Sequence, residues 1–386
     1  MVDSGSNASR VPTAGELLLH VLPFAEVGGC ETNCLRIIEA SSHRRHHVVV
    51  LGAGGPMLTE WRRAGADVEC LGFLGWSLPS LFMGLRRWRR KWTDQLAGVI
   101  SWSTWRFPVV AAALADSATP WVVHAGNPAS ESLAARLKLK FFEAVVSAPR
   151  QLSVAACSTQ VAESFRNQPY YRRRPIHVVP NPIPLPLASA HRCTAPDRGD
   201  GPRLGMVARL DPIKDHATVL RAMPAILRRH PSATLEFAGD GRLRTMLERL
   251  SADLGITRQV RFLGEVRDIP ALLDRWDLFV YATTEREGFG NALAEALMAG
   301  LPCVVTELPV MREVCGDHAA VFFGAGDPSA LASKVDDLLA DEGRRMALGR
   351  QAHIWAEEHF GSKMIAECYW RLLERTKTGP IAGDAK

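Results

Sequence analysis

The segment PNPIPLPLASAHRCTAPDRGDGP, residues 180–202, interrupts an otherwise regular pattern of strands and helices. It contains six prolines, which is typical of a linker because proline cannot donate a backbone hydrogen bond. The 386-residue length also favours two domains. We predict a first domain over 1–187, a linker over 188–202, a second domain over 203–375, whose last helix packs back on the first, and a flexible tail over 376–386.

On each side of this segment lie six short apolar runs that are typical of buried parallel strands. They cover 16–22, 46–52, 67–73, 98–102, 121–125 and 154–158, then 203–209, 233–239, 260–266, 277–283, 302–308 and 319–323. Helical patterns separate the runs. This alternation predicts an α/β fold of two doubly wound, Rossmann-like domains that face each other across a cleft. Such sheets bind ligands at the carboxyl ends of their strands, so the residues that follow the runs are the candidates.

The composition is that of a globular protein, with 47% hydrophobic and 23% charged residues, and it excludes a disordered chain, collagen and a coiled coil. The formal net charge of +5 is unevenly distributed: residues 1–190 carry 20 basic and 13 acidic side chains, and the rest carry 26 and 28. The basic first half indicates an anionic partner, such as a membrane surface or a phosphate-bearing acceptor, although a solvated face is the alternative. Nucleic acid is not expected, because no reading motif accompanies the cations.

The eight cysteines include no Cys-x-x-Cys pair, so neither a zinc site nor a disulfide framework is expected and a reducing cytoplasm fits best. The polar N-terminus, residues 1–10, lacks the apolar core of a signal peptide. The longest apolar stretch, Leu71–Leu85, is shorter than the about 20 residues of a spanning helix. We therefore expect a cytoplasmic protein that is either free or peripheral on the inner face of the membrane.

The most informative stretch for chemistry is EGFGNALAE, residues 287–295, which connects a strand to an apolar helix. Gly288 and Gly290 place flexible backbone at a helix N-terminus, which favours an anion, and Asn291 is a candidate cap. Glu295 is surrounded by apolar residues along the helix and needs hydrogen-bond donors if it is buried. Either the hydroxyl groups of a ligand or a structural arginine would satisfy it.

Two cations follow the first strand of the second domain. Arg209 ends the run at 203–209, and Lys214 lies in the loop before the next helix. Such a pair at the carboxyl end of a strand is suited to hold a diphosphate, arginine as a fork and lysine as a point charge.

Together these motifs resemble the donor half of the retaining, GT-B-fold glycosyltransferases of family 4, also called glycosyl transferases group 1. The resemblance covers residues 203–340 and is carried by Val207–Arg209, Lys214–Asp215, Ala238–Gly241, Phe262–Gly264 and Glu287–Glu295. In the first half it is carried by Gly28-Gly29-x-Glu31, His124 and Val178–Asn181.

The resemblance implies a role for each of the donor-side residues. Arg209 and Lys214 would hold the diphosphate, and Glu295 would hydrogen-bond the ribose. Glu287 would orient the transferred sugar, together with the backbone of Gly288, Phe289, Gly290 and Asn291. Family members of this kind retain the anomeric configuration, by front-face attack in which the leaving phosphate accepts the proton of the acceptor.

The remaining implied contacts surround the cleft. The base would lie beside Gly264 and Val266, and Gly28 and Gly29 would admit phosphate or sugar close to the backbone. His124 would approach the sugar from the first domain, whereas without the resemblance a structural histidine would be favoured. His124, Arg209, Lys214 and Glu287 are thus the predicted catalytic residues.

Neither a metal nor a cofactor is expected. The chain contains no Asp-x-Asp motif to hold a divalent cation, and its cations and a helix N-terminus are suited to stabilise a departing diphosphate. The donor substrate would be a nucleotide-diphosphate-sugar, and the acceptor a hydroxyl group in cell-surface polysaccharide or glycolipid synthesis. Two alternatives are a nucleotide-sugar 2-epimerase and a non-catalytic nucleotide-sugar-binding subunit.

The segment LFMGLRRWRRKW, residues 81–92, combines apolar residues with five cations and two tryptophans. This composition is typical of a helix that adheres to anionic lipid, although a solvated basic helix is equally compatible with it. We expect this segment to contact an anionic membrane that presents a lipid-linked acceptor.

Overall fold

The computed structural model describes residues 17–73, 75, 77–90, 96–104, 106–114, 119–145, 148–185 and 201–378. The predicted N-terminal segment 1–10, most of the linker and residues 379–386 of the tail lie outside this part of the chain. Two parallel sheets with helices between their strands confirm the predicted α/β class of two doubly wound domains.

The first sheet has the strand order β3-β2-β1-β4-β5-β6-β7. Its strands are β1 (Leu17–Leu22), β2 (Arg45–Val50), β3 (Asp67–Cys70), β4 (Leu96–Ser101), β5 (Trp121–Ala125), β6 (Leu152–Ala156) and β7 (Ile176–Val178). Its helices are α1 (Gly29–Ala40), α2 (Met57–Arg63), α3 (Leu78–Arg89), α4 (Phe107–Leu114), α5 (Leu133–Val145) and α6 (Thr159–Arg166). The sequence pattern did not predict β7, because three residues are too few to show a strand period.

The second sheet has the strand order β10-β9-β8-β11-β12-β13. Its strands are β8 (Arg203–Val207), β9 (Thr234–Ala238), β10 (Val260–Gly264), β11 (Leu278–Tyr281), β12 (Cys303–Thr306) and β13 (Val321–Phe323). The helices are α7 (His216–Arg229), α8 (Arg244–Asp253), α9 (Ile269–Leu273), α10 (Asn291–Met298), α11 (Pro309–Cys315), α12 (Pro328–Ala340), α13 (Glu342–Phe360) and α14 (Ser362–Thr378). No helix among the described residues is both long enough and apolar enough to cross a membrane.

The strand order reverses between β1 and β4 in the first sheet and between β8 and β11 in the second. In doubly wound sheets the crevice for a ligand opens at this reversal, beyond the carboxyl ends of the strands. The loops that follow β1, β8 and β11 carry Gly28, Lys214 and Glu287. The fold therefore brings predicted site residues to its two crevices.

The chain crosses between the two sheets twice, and the two crossings run side by side. The Ile183 N–H donates to the Phe360 carbonyl at 2.8 Å, and the Ser362 N–H donates to the Ile183 carbonyl at 3.1 Å. After the second crossing α14 packs on the first sheet, where Leu373 fills the space above Gly98. A Cβ on this glycine would lie 2.8 Å from the leucine side chain, so the glycine permits the close packing of α14.

A chain of hydrogen bonds runs through the core of the first domain. The Trp102 indole N–H donates to His20 Nδ1 at 3.0 Å, so the proton of His20 is on Nε2, which lies 2.9 Å from His46 Nδ1. His46 Nε2 in turn donates to the Ser41 carbonyl at 3.0 Å. Burial, together with the neighbouring His46, lowers the pKa of His20 well below its ordinary value, and burial also lowers the pKa of His46. Both rings are therefore neutral in the folded protein.

This buried network predicts acid sensitivity. Histidines in the unfolded chain bind protons below a pH of about 6.5, whereas buried neutral histidines do not, so their stabilisation is present above that pH and is lost as the pH falls. His124 lies outside this chain of hydrogen bonds but is buried with its ring against Trp102. Burial gives it a pKa of about 4, so it alone accounts for a loss of about 2 kcal/mol in unfolding free energy between pH 7.5 and 5. We expect the melting temperature, measured by scanning fluorimetry, to fall over this range. His46→Leu should weaken the dependence of the melting temperature on pH, whereas His318→Asn, which replaces an exposed histidine, should not. An equal dependence on pH in both variants would contradict the assignment of the effect to buried histidines.

Candidate active site

Two loops at the carboxyl edge of the second sheet bring Lys214 and Glu287 together. Lys214 follows β8 and Glu287 follows β11, the two strands that flank the reversal of strand order. A backbone hydrogen bond of 2.9 Å from the Thr284 N–H to the Ile213 carbonyl holds the loops side by side. The sheet therefore positions both side chains.

The Glu287 carboxylate accepts hydrogen bonds at Oε2 from three side chains. The Lys214 ammonium donates one, the Tyr281 hydroxyl donates another at 3.0 Å, and the Thr283 hydroxyl lies at 3.1 Å. The ammonium also donates to the Tyr281 hydroxyl at 2.5 Å. Within the described part of the chain, one of its three N–H donors is left for a further acceptor.

The ionisation of this cluster follows from its contacts. Burial raises the pKa of Glu287, but the Lys214 ammonium and the hydrogen bonds from Lys214, Tyr281 and Thr283 together outweigh burial and hold the pKa below its ordinary value. The carboxylate is therefore charged at neutral pH. Burial and the adjacent Glu287 charge raise the pKa of Tyr281 well above its ordinary range, so the phenol keeps its proton. The cluster is therefore an ion pair without net charge, in which Lys214 keeps one N–H donor for a ligand.

The glycine-rich stretch after Glu287 lies against the first domain. A Cβ on Gly288 would lie 2.4 Å from the Gly126 carbonyl oxygen, so glycine is required for this close approach. The Ser158 hydroxyl donates to the Gly288 carbonyl at 2.7 Å. Gly290, the N-cap of α10, has a φ of 90°, in the left-handed region that favours glycine. The N-terminus of α10 therefore lies at the contact between the two domains.

Phe289 and Asn291 both direct their side chains into contacts within the protein, and only Asn291 departs from the sequence prediction. Phe289 is buried against Phe360, with ring centroids 5.3 Å apart, so only its backbone is available to a ligand. The prediction that Asn291 caps α10 is wrong, because the preceding glycine is the N-cap and no side chain caps the helix. The Asn291 amide instead accepts from Asn181 at 2.6 Å and donates to Asn33 at 3.4 Å.

Glu295 is paired with Arg36 of the first domain. The Arg36 guanidinium donates to Glu295 Oε1 and to the Pro182 carbonyl at 3.1 Å. The structure thus contains the arginine that was the alternative explanation for a buried Glu295. The contact uses Oε1, and among the described residues Oε2 has no partner, which leaves it available to a hydroxyl group.

His124 is the penultimate residue of β5 and is buried, with its two ring nitrogens in different surroundings. Nδ1 lies 2.8 Å from the Tyr369 hydroxyl of α14, whereas Nε2 has no hydrogen-bond partner among the described residues. Burial lowers the pKa of His124 to about 4, so the ring is neutral at physiological pH. A Cβ on Gly126 would lie 3.1 Å from Nε2. Because Gly126 also contacts Gly288, His124 lies close to the glycine-rich loop of the second domain.

Arg209 does not join the ion-paired cluster. Its side chain is 79% exposed, and it pairs with Asp211 Oδ2 at 3.1 Å, whereas Lys214 is partly buried against Glu287. The two predicted diphosphate ligands therefore occupy different environments in this structure.

The four predicted glycine-loop and base-site residues lie at two places, a strand end in the second domain and a helix start in the first. Gly264 and the following Val266 lie at the carboxyl end of edge strand β10, and the Gly239 N–H donates to the Gly264 carbonyl at 2.7 Å. Gly28 is the N-cap of α1, and Gly29 begins that helix. A Cβ on Gly29 would lie 3.5 Å from Asn291 Nδ2, so this loop faces α10 across the domain contact.

Several site residues escaped the sequence prediction, among them Arg36, Tyr281 and Tyr369. Tyr281 is the last residue of β11, six positions before the predicted Glu287, and this position at a strand end could have indicated a site residue. Arg36 and Tyr369 lie within helical patterns, and their partners, Glu295 and His124, are more than 200 positions away. Within the described ranges, no three His, Cys, Asp or Glu side chains are grouped to hold a metal ion.

Comparison with known proteins supplies the context for this geometry. Residues 194–355 match the family model described as glycosyl transferases group 1, which confirms the predicted resemblance at the level of that group. The GDP-mannose-dependent alpha-(1-6)-phosphatidylinositol monomannoside mannosyltransferase of Mycolicibacterium smegmatis is 31% identical over 172 residues, 42% of this chain and 45% of that protein. The lipopolysaccharide core biosynthesis glycosyltransferase LpsE of Rhizobium meliloti is 28% identical over 209 residues, 52% of this chain and 58% of that protein. The matches thus span about half the length of these relatives.

Similarity in structure covers more of the chain than similarity in sequence does. The crystal structure of Anabaena HepE in complex with UDP and glucose superposes on this chain with a TM-score of 0.77 at 20% identity. The superposition covers 92% of this chain and 99% of HepE. This likeness confirms the predicted GT-B fold.

Proposed function

We propose that this chain transfers a sugar from a nucleotide-diphosphate-sugar to a hydroxyl acceptor, because residues 194–355 match the family model of the glycosyl transferases group 1. The observation that carries the proposal is the Lys214–Glu287 pair, which lies at the reversal of strand order and keeps a free N–H donor. That HepE binds UDP and glucose on the same fold supports a nucleotide-sugar donor.

The contacts support a role for each donor-side residue. The spare N–H of Lys214 and the N-terminus of α10 are suited to an anionic diphosphate, and Arg209, which is exposed five residues before Lys214, is suited to approach it from solvent. Glu287 is held charged and is suited to accept hydrogen bonds from sugar hydroxyls. Glu295 presents Oε2 to the ribose.

We propose a retaining reaction that needs no metal. The bond from the anomeric carbon to the diphosphate oxygen breaks, the acceptor oxygen bonds to the same face of that carbon, and the departing phosphate takes the acceptor proton. Negative charge therefore develops on the diphosphate, where Lys214, Arg209 and the α10 N-terminus stabilise it. His124, neutral and with Nε2 unpaired, donates or accepts a hydrogen bond at the sugar but carries no charge.

The first domain is the proposed acceptor side, in a cytoplasmic or peripheral-membrane protein. Its excess of basic side chains suits a lipid-linked acceptor at an anionic membrane surface. The relatives named above, which include a phosphatidylinositol monomannoside mannosyltransferase and a lipopolysaccharide core enzyme, support synthesis of a glycolipid or a cell-surface polysaccharide.

A thermal-shift screen tests the donor proposal. A nucleotide that binds the folded protein at 100 times its Kd stabilises it by about 2.7 kcal/mol, so we expect one of UDP, GDP and ADP, or its sugars, to raise the melting temperature by several degrees. The monophosphate of the same base, UMP, GMP or AMP, is the matched control, because it lacks the diphosphate. No shift with any nucleoside diphosphate would contradict the proposal.

The preferred donor is then assayed for transfer in the presence of EDTA. Sugar transfer to a hydroxyl acceptor under these conditions supports the metal-independent reaction. Conversion of the donor with no acceptor present would instead indicate an epimerase, and binding without turnover would indicate a non-catalytic subunit.

A further inference from the structure

Helix α5 exposes an apolar face that nothing in the described part of the chain covers. Leu133, Leu137, Phe141 and Val145 are 73%, 57%, 60% and 64% exposed, and Phe142 is the one buried residue of the helix. A spacing of four residues places these side chains along one side of the helix. Large apolar side chains that are exposed singly are ordinary, but a continuous row of four marks an interaction surface.

Cationic side chains accompany this face. Arg136, Lys138 and Lys140 of α5 are all exposed. The acidic residue of the helix, Glu143, is neutralised by Arg172, whose guanidinium donates to both carboxylate oxygens at 3.2 Å. The surface that surrounds the apolar row is therefore positively charged, which is the combination with which peripheral helices bind anionic lipid.

Helix α3, in the segment predicted to contact a membrane, differs in this respect. Its apolar residues Leu81, Leu85 and Trp88 are buried in the core, and the Trp88 indole donates to Glu69 at 2.9 Å. The described part of the segment, residues 81–90, therefore offers lipid its arginines and Met83 but no apolar row.

We propose that α5 docks on an anionic bilayer and holds the first domain against it. The loop that joins β5 to α5 carries Gly126, which lies between His124 and Gly288 of the cleft. α5 begins seven residues after Gly126, so a bilayer that covers α5 would contact the domain that contributes this loop to the cleft. The docking itself is independent of the proposed function, but its use, to admit a lipid-linked acceptor, rests on that function.

Vesicle flotation of the full chain tests the docking without donor or acceptor. We expect recovery with vesicles of phosphatidylcholine and phosphatidylglycerol, little recovery with phosphatidylcholine alone, and a decrease at high salt. Phe141→Gln together with Leu137→Gln should weaken binding by about tenfold or more, because both side chains lose their partition into the acyl region. Lys138→Glu should weaken it by at least roughly fivefold, since each lysine near such a surface contributes about 1 kcal/mol.

Met83→Gln is the matched control, because Met83 is equally exposed, at 67%, but lies on α3. It should leave vesicle binding unchanged. Equal recovery with neutral and anionic vesicles, or equal losses in Met83→Gln and in the α5 variants, would overturn the proposal. So would sedimentation showing that the α5 substitutions split a dimer while vesicle binding persists, since α5 would then contact a second copy. Transfer to a soluble acceptor stays at the wild-type rate in the α5 variants, so failure of docking and failure of the proposed reaction are distinguishable.

Discussion

Replacing Lys214 with methionine is expected to reduce sugar transfer by about 100-fold to 1,000-fold, the usual cost of losing a group that stabilises developing negative charge. The substitution also leaves the Glu287 carboxylate buried without its cation, which should lower the unfolding free energy by about 3–5 kcal/mol. Initial rates with saturating donor measure the loss of transfer, and urea denaturation measures the loss of unfolding free energy.

A double-mutant cycle separates the two effects. Glu287→Gln alone leaves the Lys214 ammonium without its anion and should destabilise the protein by a similar amount, whereas Lys214→Met with Glu287→Gln removes both charges and should recover most of the stability. Activity should not recover with it. If the double variant regained both stability and transfer, the pair would be structural and its catalytic role would be excluded.

The pH dependence of stability should reverse in Lys214→Met. In the wild type the lowered pKa of Glu287 means that its stabilisation is present above the unfolded value of about 4.3 and is lost as the pH falls. Without Lys214 only the hydrogen bonds from Tyr281 and Thr283 oppose burial, which is the largest influence on this group and raises the pKa. The carboxyl group then stabilises the fold only at low pH, and this stability is lost as the pH rises through the raised pKa.

The sequence predicts the sheets and their loops well, because parallel strands buried on both faces leave a strong local signal. The runs at 121–125 and 277–283, for example, correspond to β5 and β11. The loop residues Lys214 and Glu287 were also predictable, since the strand that each one follows is visible in the sequence. Their direct contact was not, because it depends on β8 and β11 being neighbours, which is a property of strand order.

Contacts between the domains were the least predictable part of the site. Asn291 has the sequence position of a cap, yet its amide bonds to Asn33 and Asn181. Arg36 faces a carboxylate 259 positions away. A sequence pattern reports the period of one helix, whereas these contacts depend on how two domains pack, and that geometry has no local signature.

Comparing Glu295→Ala with Arg36→Met decides between the two explanations of Glu295. If Glu295 Oε2 binds the ribose, its loss should raise the Kd of the nucleoside diphosphate by about 10-fold to 100-fold, the equivalent of roughly 1.5–3 kcal/mol for a hydrogen bond to a charged group. Arg36→Met removes the interdomain ion pair but leaves that carboxylate in place, so the Kd should change much less. Calorimetric titration of both variants measures the difference.

The unfolding free energies of the same two variants provide a second comparison. Both substitutions break one partly buried ion pair, so each should lower the unfolding free energy by about 3 kcal/mol, and the Arg36 variant also loses its bond to the Pro182 carbonyl. Equal losses of stability with unequal losses of affinity would place Glu295 in the donor site. Equal losses of both would show that Glu295 acts only as the partner of Arg36, and that the position of the carboxylate in α10 serves the domain contact instead of the nucleotide.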